Sequence, residues 1–363
     1  MTAISNNVRS TSLATGVVAD NLKSEVFEHS DSRQRRRSSL MNIMEAVTSL
    51  TQSVRRSLIQ AHLLDDEDAT LPDDMSISSS SSMTRRSSIT AEEDLQLEKM
   101  LAQLSEDELE IAARTCYEYL KSDDQSRRTD CAKQMAKRFL RSRGCPDLAL
   151  NRMKRTLNFR RDMDVDRLRL AFDEKNEYCQ PLKEHLSSGM VYVSGYDKDG
   201  RSTYVFEPYR VQGHDDEWTI KQHVWTLERA IACSKSKDKT VNAVVNFNNF
   251  SVTKHAPPTH VGKQFLTTLR SHYAGHVNEI FLVDAPTAFL CLWAIFKPFI
   301  GSQTRNKIKF VSNDRQKKEE IGQWYSPDQA TPWMLPNGQK KKDFDANEYL
   351  FATPFTQAFD ERN

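Results

Sequence analysis

The first 95 residues of the chain contain almost no aromatic side chains. Phe27 is the only one of the 32 aromatic residues of the 363-residue sequence that falls there. The same stretch holds 19 serines, so it cannot bury enough apolar surface to offset the entropy lost on ordering. We therefore predict that residues 1–95 form a disordered regulatory tail and that the folded core lies downstream.

The chain also lacks an excess of charge of either sign. Its 51 lysines and arginines stand against 50 aspartates and glutamates, which leaves a net charge of +1. Any attraction to a polyanion or to an acidic membrane must then come from local patches. We predict no nucleic-acid partner.

Clustered cysteines and long apolar runs are missing as well. The six cysteines show neither Cys-x-x-Cys spacing nor a His/Cys cluster, which argues against a disulfide framework and against a zinc site. No run of 18 apolar residues and no compact apolar N-terminal segment occurs, so neither a membrane span nor a signal peptide is predicted. We predict a cytoplasmic protein with reduced thiols and with neither a metal nor a cofactor.

The common catalytic signatures are absent too. The sequence has no nucleophile elbow, no His-Glu-x-x-His, no dinucleotide-binding glycine motif and no phosphate loop. The segment Asp197-Lys-Asp-Gly200 lacks the later ligands of a calcium loop and is interpreted as a hairpin turn. The pairs His214/His223 and His272/His276 are not part of a complete set of metal ligands and are interpreted as ordinary polar histidines. We predict that the protein is not an enzyme.

One part of the tail has a helical period. Apolar residues in 38–62 fall on one stripe of a helix, and flanking arginines make the segment a candidate basic amphipathic helix. Such a helix needs an anionic membrane interface or a groove on a protein partner. The alternatives are a transient helix or one that docks on the protein's own body.

The tail also carries two short basic motifs that end in serine. Arg36-Arg37-Ser38-Ser39-Leu40 and Arg85-Arg86-Ser87-Ser88-Ile89 both match the pattern that basophilic kinases phosphorylate. A phosphate adds roughly −1.5 to −2 charges. Ser39 and Ser88 are therefore candidate phosphorylation sites, although chance matches are common where arginine and serine abound.

Downstream of residue 96 the hydrophobic pattern changes twice. Apolar residues at helical spacing up to about residue 170 predict a small helical module. The β-prone runs that follow are 190–193, 203–206, 241–247, 280–283 and 307–311, and the helical runs between them are 218–233, 261–273 and 287–300. This alternation predicts an α/β fold with a mixed, largely parallel sheet and crossover helices.

The run 288–296 has nine consecutive apolar residues within one predicted helix. It is too short to cross a bilayer, which takes about 20 residues. A helix that is apolar all round needs apolar surroundings on more than one side. Burial under other protein elements would meet that need, and so would contact with a hydrophobic ligand.

Residues 271–311 carry an ordered set of motifs: Tyr273, Asp284-Ala285-Pro286, Phe289, Lys297-x-Phe299 and Asn306-Lys307-Ile308. This stretch resembles the signature of the CRAL-TRIO lipid-binding family, the domain of phosphatidylinositol/phosphatidylcholine transfer proteins. Further matches are Arg138 to Arg143, Asn158-Phe159-Arg160 and Val224-Trp225-x-x-Glu228-Arg229, so the resemblance spans roughly 130–315.

The resemblance implies a hydrophobic lipid pocket whose floor is the sheet, closed by a mobile gate helix. The implied pocket and gate residues are Phe289, Leu292, Trp293, Phe296, Phe299 and Ile300. Pro286 and Gly301 are the implied gate hinges, because neither residue suits a helix interior.

The resemblance also implies a headgroup site, with one departure. Arg141, Arg143, Glu228 and Asn248 are the candidate headgroup residues. Ala243 and Asn248 stand where phosphatidylinositol-binding members have a threonine and a lysine, and asparagine lacks the charge that lysine offers a phosphate. Phosphatidylcholine or a less polar ligand is therefore expected over phosphatidylinositol. Glu228 and Arg229 forming a structural pair is the alternative.

The predicted organisation is a tail (1–95), a helical N-terminal module (96–170), a CRAL-TRIO domain (175–325) and a C-terminal extension (326–363). The predicted function is a cytosolic carrier that sequesters a phospholipid or other hydrophobic ligand and exchanges it at membranes, with transient, peripheral membrane contact. The alternative is a regulatory adaptor that does not transfer lipid and uses the same domain as a membrane-docking or protein-docking module, controlled by phosphorylation of the tail.

Overall fold

In the computed structural model, the described part of the chain begins at residue 91 and ends at residue 351. Within that range the structure describes every residue except 123, 212, 214, 274, 288, 291, 292, 294–304 and 341. All described residues except Trp293 belong to one compact unit. The predicted tail, with its amphipathic helix at 38–62 and with Ser39 and Ser88, lies outside the described residues.

The N-terminal part of this unit is helical. Its first boundaries follow from local chemistry, because Ser105 and Glu108 form a reciprocal capping box ahead of one helix. Gly144, with a φ of +68°, ends a second helix, and Pro146 begins the next. The helices are α1 Ala91–Leu101, α2 Glu106–Arg114, α3 Tyr117–Ser122, α4 Arg128–Arg143, α5 Pro146–Asp162 and α6 Val165–Arg169.

A five-stranded sheet follows, in the spatial order β1-β2-β3-β4-β5. The first two strands form an antiparallel hairpin, and all later neighbours are parallel. The α/β prediction with a mixed, largely parallel sheet is therefore confirmed. The strands are β1 Val191–Tyr196, β2 Ser202–Phe206, β3 Val241–Asn246, β4 Val277–Val283 and β5 Ile308–Val311.

The hairpin turn is made by the segment interpreted in that way from the sequence. The Asp197 carboxylate accepts hydrogen bonds from the backbone N–H groups of Asp199 and Arg201. Gly200 has a φ of +78°, which an L side chain rarely adopts. Asp197 therefore shapes the turn through its side chain.

Helices cover one face of the sheet. The longest begins at Asp216 because the Asp215 side chain accepts from the Trp218 backbone N–H and caps it. The helices are α7 Cys179–Leu186, α8 Asp216–Cys233, α9 Val252–His255, α10 Thr259–His272 and α11 Ala346–Phe351. Buried residues of α7, α8, α10 and α11 share a core with β1 and β2.

The other face is covered by the chain that follows β5. A helical turn, Asp314–Gln316, leads into a π-helix, Lys317–Ile321. Apolar residues of this segment form a second core with Val244, Phe281, Val283 and Val311, and they are Ile321, Tyr325, Ala330, Met334 and Leu335. Part of the sequence assigned to a C-terminal extension thus packs on the sheet.

Candidate functional site

The strand register places ten apolar residues on the face of the sheet that the helices cover. Paired residues on neighbouring strands project to the same side, as do residues two apart on one strand. One row across the five strands is Val193, Tyr204, Ala243, Ile280 and Ile308, and the next is Val191, Phe206, Val245, Leu282 and Phe310. We call these ten residues the helix-side face.

Burial falls off across the helix-side face. At the β1–β2 end, Val191 and Val193 are at most 2% exposed beneath α8. Toward the other edge only Leu282 is fully buried, and the half-buried residues are Ala243, Val245, Ile280, Ile308 and Phe310. Half of the helix-side face is therefore an apolar surface that its protein neighbours cover incompletely.

The buried end of this surface contains a histidine. The His223 ring lies 5.1 Å from the Phe206 ring and 4.3 Å from the Phe265 ring of α10. Its Nδ1 shares a hydrogen bond with the Tyr204 hydroxyl. Burial lowers the pKa of His223 to about 3, so the ring is neutral at physiological pH. The site thus places no charge against its apolar floor here.

Beyond β4, the Asp284-Ala285-Pro286 turn is held at several points. Asp284 adopts a φ of +55°, its backbone N–H donates to Val311, and its carboxylate accepts from Lys317 Nζ at 3.0 Å. The Pro286 carbonyl accepts from the N–H groups of Phe289 and Leu290. Pro286 thus lies at the start of helical backbone, and its role as a gate hinge stays a prediction.

The described residues of the predicted gate helix are few. Thr287, Phe289, Leu290 and Trp293 are helical. The Phe289 ring lies 4.5 Å from Phe247, just after β3. Phe289 therefore lies beside the carboxyl end of the sheet. Leu292, Phe296, Phe299, Ile300 and Gly301 lie outside the described residues.

Glu228 lies in a buried ion network. Its carboxylate accepts from Arg160 Nη1 at 2.6 Å and from the Tyr273 hydroxyl at 2.9 Å. Arg169 Nε lies 3.2 Å from the other carboxylate oxygen. Burial alone would raise the pKa of Glu228, but the two arginines outweigh it and lower the pKa to about 2. The network ties α5 and α6 to α8.

Arg229 does not pair with Glu228. Its guanidinium lies over the rings of Trp225 and Tyr349, at 4.8 and 4.4 Å, and donates to the Tyr349 carbonyl. The alternative of a Glu228–Arg229 pair is therefore wrong, because successive helix residues face different neighbours. Sequence reasoning missed the true partners, and the only signal was the Asn158-Phe159-Arg160 motif.

The other headgroup candidates lie apart from Glu228 in the chain. Arg141 is an exposed residue of α4 whose Nε lies 3.4 Å from Glu93. The Asn248 backbone N–H donates to the Asn246 side chain just after β3. The side chain of Arg143 is outside the described residues. The headgroup roles of all four residues remain predictions.

A surface hollow of about 370 Å³ lies between α5 and the end of α10. Charged and polar groups line it together with two apolar side chains, and the residues are Arg155, Asn158, Phe159, Asp162, Met163 and His272. The mixed lining does not suit an acyl chain.

Within residues 91–351, gaps excepted, no group of three His, Cys, Asp or Glu side chains is placed to hold a metal ion. None of the helices that the structure describes is long and apolar enough to span a bilayer.

Comparison with known proteins finds one matching family model, which is described as a CRAL/TRIO domain and covers residues 186–331. A CRAL-TRIO domain-containing protein of Schizosaccharomyces pombe is 29% identical over 142 residues, or 39% of this chain and 14% of that protein. The SEC14 cytosolic factor of Eremothecium gossypii is 23% identical over 143 residues, or 35% of this chain and 46% of that protein.

The chain matches less than half the length of each of these curated relatives. Among solved structures, the crystal structure of Sfh5 aligns with 62% of this chain and 79% of its own. The sequence identity is 12% and the TM-score is 0.45.

Proposed function

Because the chain belongs to the CRAL-TRIO family of lipid-binding domains, we propose that it is a non-catalytic carrier of one hydrophobic ligand. The proposed ligand is a glycerophospholipid, held against the helix-side face and exchanged at membranes. The observation that carries the proposal is the row of half-buried apolar residues on β3, β4 and β5. Covering such a surface contributes about 25 cal/mol per Å² of apolar area removed from water.

The gate is part of this proposal. Helical backbone begins after Pro286, and the sequence 288–296 is apolar at every position. As a gate helix, this sequence would suit contact with acyl chains on one side and with a membrane on the other. Phe289, which contacts Phe247, would form the fixed root of the gate. Pro286 and Gly301 would act as the hinges of the gate, and the remaining predicted pocket residues would lie along the gate and at its end.

The headgroup proposal follows from charge. Glu228 already accepts from two arginines and a tyrosine, so it is poorly placed to bind a further cationic or hydroxyl group. The Ala243 side chain belongs to the apolar helix-side face and offers no hydrogen bond. We therefore propose phosphatidylcholine, or a less polar ligand, over phosphatidylinositol.

The tail would add regulated membrane affinity. Residues 31–60 contain six arginines against Asp31 and Glu45, a local excess of 6 − 2 = +4 beside an apolar stripe. A phosphate on Ser39 would cancel about half of this excess. With such a tail the protein would be cytoplasmic and would visit membranes peripherally, in keeping with the name cytosolic factor of one relative.

A regulatory adaptor is the second candidate. The two Arg-Arg-x-Ser motifs, ending in Ser39 and Ser88, favour it because they place kinase sites in a tail that could bind a partner. The adaptor would use the same domain for docking and would not need to exchange a ligand.

Loading with a fluorescent phosphatidylcholine tests the carrier directly. The wild-type full chain should take up one lipid per protein, and the double variant Ile280→Asn, Ile308→Asn should lose most of the loading. Lys309→Gln is the matched control, since Lys309 adjoins Ile308 on β5 but projects to the other face. Equal loading of both variants would place the lipid elsewhere, and no saturable loading of wild type would favour the adaptor.

A further inference from the structure

The forty residues from Lys239 to Asn278 contain no aspartate or glutamate. At the chain's average density of 50 acidic residues in 363, such a span would hold five or six. It does contain Lys239, Lys254, Lys263 and Arg270, so its net charge is +4 while the whole chain carries +1. This basic span includes β3, α9 and α10.

Helix α10 presents two different sides. Val261 and Thr268 are at most 5% exposed, and with Phe265 they form the buried stripe that faces the core. At 100° per residue, Lys263, Leu266 and Arg270 lie about half a turn away from that stripe. Leu266 is 62% exposed, and it is a large apolar side chain between two basic residues on one helix face.

Both ends of α10 are held by contacts with neighbouring helices. At its start, His260 contacts Asp216 of α8, while Glu217 pairs with Lys221 on α8 itself. At its end, the Arg152 guanidinium donates to the carbonyls of Arg270 and Ser271 and holds the helix on α5. The basic side of α10 is thus presented on a firmly held helix.

Additional charges flank this side. Lys254 is an exposed residue of the preceding helix α9. On α5, next to the end of α10, the surface hollow is lined by Arg155 together with the acidic Asp162. The acidic residues in these contacts lie at the two ends of α10, and the basic span itself contains none.

We propose that α9 and α10 form a docking surface for an anionic lipid bilayer. Lys254, Lys263 and Arg270 would lie among the headgroups, and Leu266 would enter the apolar boundary beneath them. Leu266 is the reason to choose a membrane, because neither a nucleic acid nor an acidic protein surface requires an exposed leucine amid basic residues. We call this the α10 docking surface.

This inference rests on the proposed carrier function and adds where the ligand site would lie relative to the membrane. The inner side of α10 reaches the ligand site, since Phe265 contacts His223 and His223 contacts Phe206 of the helix-side face. One helix thus borders the proposed ligand on one side and the proposed membrane on the other. Docking through it would bring the ligand site close to the bilayer.

The test is sedimentation of the full chain with phosphatidylcholine vesicles, with and without phosphatidylserine. The triple variant Lys254→Ala, Lys263→Ala, Arg270→Ala should weaken binding to the anionic vesicles about a hundredfold, since each of the three basic residues contributes about fivefold. Leu266→Ser should weaken it about tenfold, which corresponds to the lower end of the range for burying a leucine side chain. Every variant keeps the tail, so differences report on the α10 docking surface.

The matched control is Arg315→Ala, Lys318→Ala, Lys340→Ala, which removes three exposed charges from the C-terminal segment. It should bind like wild type. If both triple variants lost vesicle binding equally, net charge alone would explain the loss and the proposal would be overturned. Unchanged vesicle binding by the α10 variants would also overturn it. Binding of the full chain to an acidic peptide or to single-stranded DNA, without binding to anionic vesicles, would overturn the proposal as well.

Loading with fluorescent phosphatidylcholine in detergent separates this proposal from the carrier function. The α10 variants should load lipid like wild type while failing to sediment with anionic vesicles. Vesicle binding that depends on α10 without any lipid loading would contradict the carrier function and leave the docking surface standing. Loss of loading in the α10 variants, with wild-type sedimentation, would overturn the docking surface.

Discussion

The two faces of the sheet differ in how completely the protein covers them. On the face toward the C-terminal segment, Val244, Phe281 and Val283 are fully buried against residues such as Tyr325. On the helix-side face, their neighbours Val245 and Ile280 are half-buried. The incompletely covered face is the one to which the proposed ligand is assigned.

The largest effect is expected from a matched pair of neighbours on β4. Phe281→Ala should lower the free energy of unfolding by about 3–5 kcal/mol, because it leaves a cavity in a closed core. Ile280→Ala should lower the free energy of unfolding by less, because the Ile280 side chain is only half-buried. Lipid loading should respond in the opposite way, with a larger loss for Ile280→Ala than for Phe281→Ala. Urea unfolding and loading on the same samples check both, and equal stability losses would contradict the difference between the faces.

The sequence predicts where the strands lie but not which face stays open. Every β-prone run corresponds to a strand, because Val, Ile and Phe cluster there. In β3, however, Val244 and Val245 are both apolar, as is usual for parallel strands that are covered on both sides. Val244 and Val245 are distinguished only by the strand register and by the chain after β5, which covers the face that Val244 belongs to.

The candidate site is less predictable than the fold for a related reason. Glu228 is bound by Arg160 and Arg169, which precede it by about sixty residues, and no local pattern indicates such a pairing. The Lys317 partner of Asp284 lies on a π-helix that has no simple hydrophobic period. The Asp284-Ala285-Pro286 motif indicates the turn, whereas the contacts that hold it come from tertiary structure.

The second prediction concerns α8, which covers the buried end of the helix-side face. Glu228→Gln should cost about 3 kcal/mol at pH 7, because the pKa of Glu228 lies at about 2 against an ordinary value of 4.5. The carboxylate stabilises the fold fully above pH 4.5, and this stabilisation is lost as the pH falls from 4.5 toward 2.

Urea unfolding at pH 7 and pH 3 checks this prediction. The gap between wild type and Glu228→Gln should narrow at the lower pH. Glu98→Gln is the control, since Glu98 is exposed and its pair with Lys133 should contribute at most about 1 kcal/mol. A gap that does not change with pH would show that the ion network does not act through the charge of Glu228.

The third prediction tests the polarity of two predicted headgroup positions, one on the helix-side face and one just after β3. The double change Ala243→Thr, Asn248→Lys should shift ligand preference toward phosphatidylinositol by about tenfold, because lysine adds a charge-assisted hydrogen bond to phosphate. Transfer of each labelled lipid between vesicles measures the ratio. Efficient transfer of phosphatidylinositol by the unmodified protein would contradict the charge argument.

The smallest effect is expected from the tail. Ser39→Glu should weaken binding to anionic vesicles about fivefold by removing one unit of local positive charge, and more salt should weaken it further. Ser88 is separated from the basic segment by the acidic residues in 65–74, so Ser88→Glu should weaken vesicle binding less. Vesicle sedimentation compares the two. Equal effects would mean that net charge, and not the basic segment at 31–60, sets the membrane affinity.

The central claim is that the helix-side face holds one lipid, and mass spectrometry of the purified full chain tests it most directly. Organic extraction should yield close to one lipid per protein, with a single lipid class enriched over its cellular abundance. Removal of that lipid should lower the melting temperature, since a ligand that binds only the folded state stabilises it. Protein that carries no stoichiometric lipid, and that cannot be loaded with one, would contradict the account.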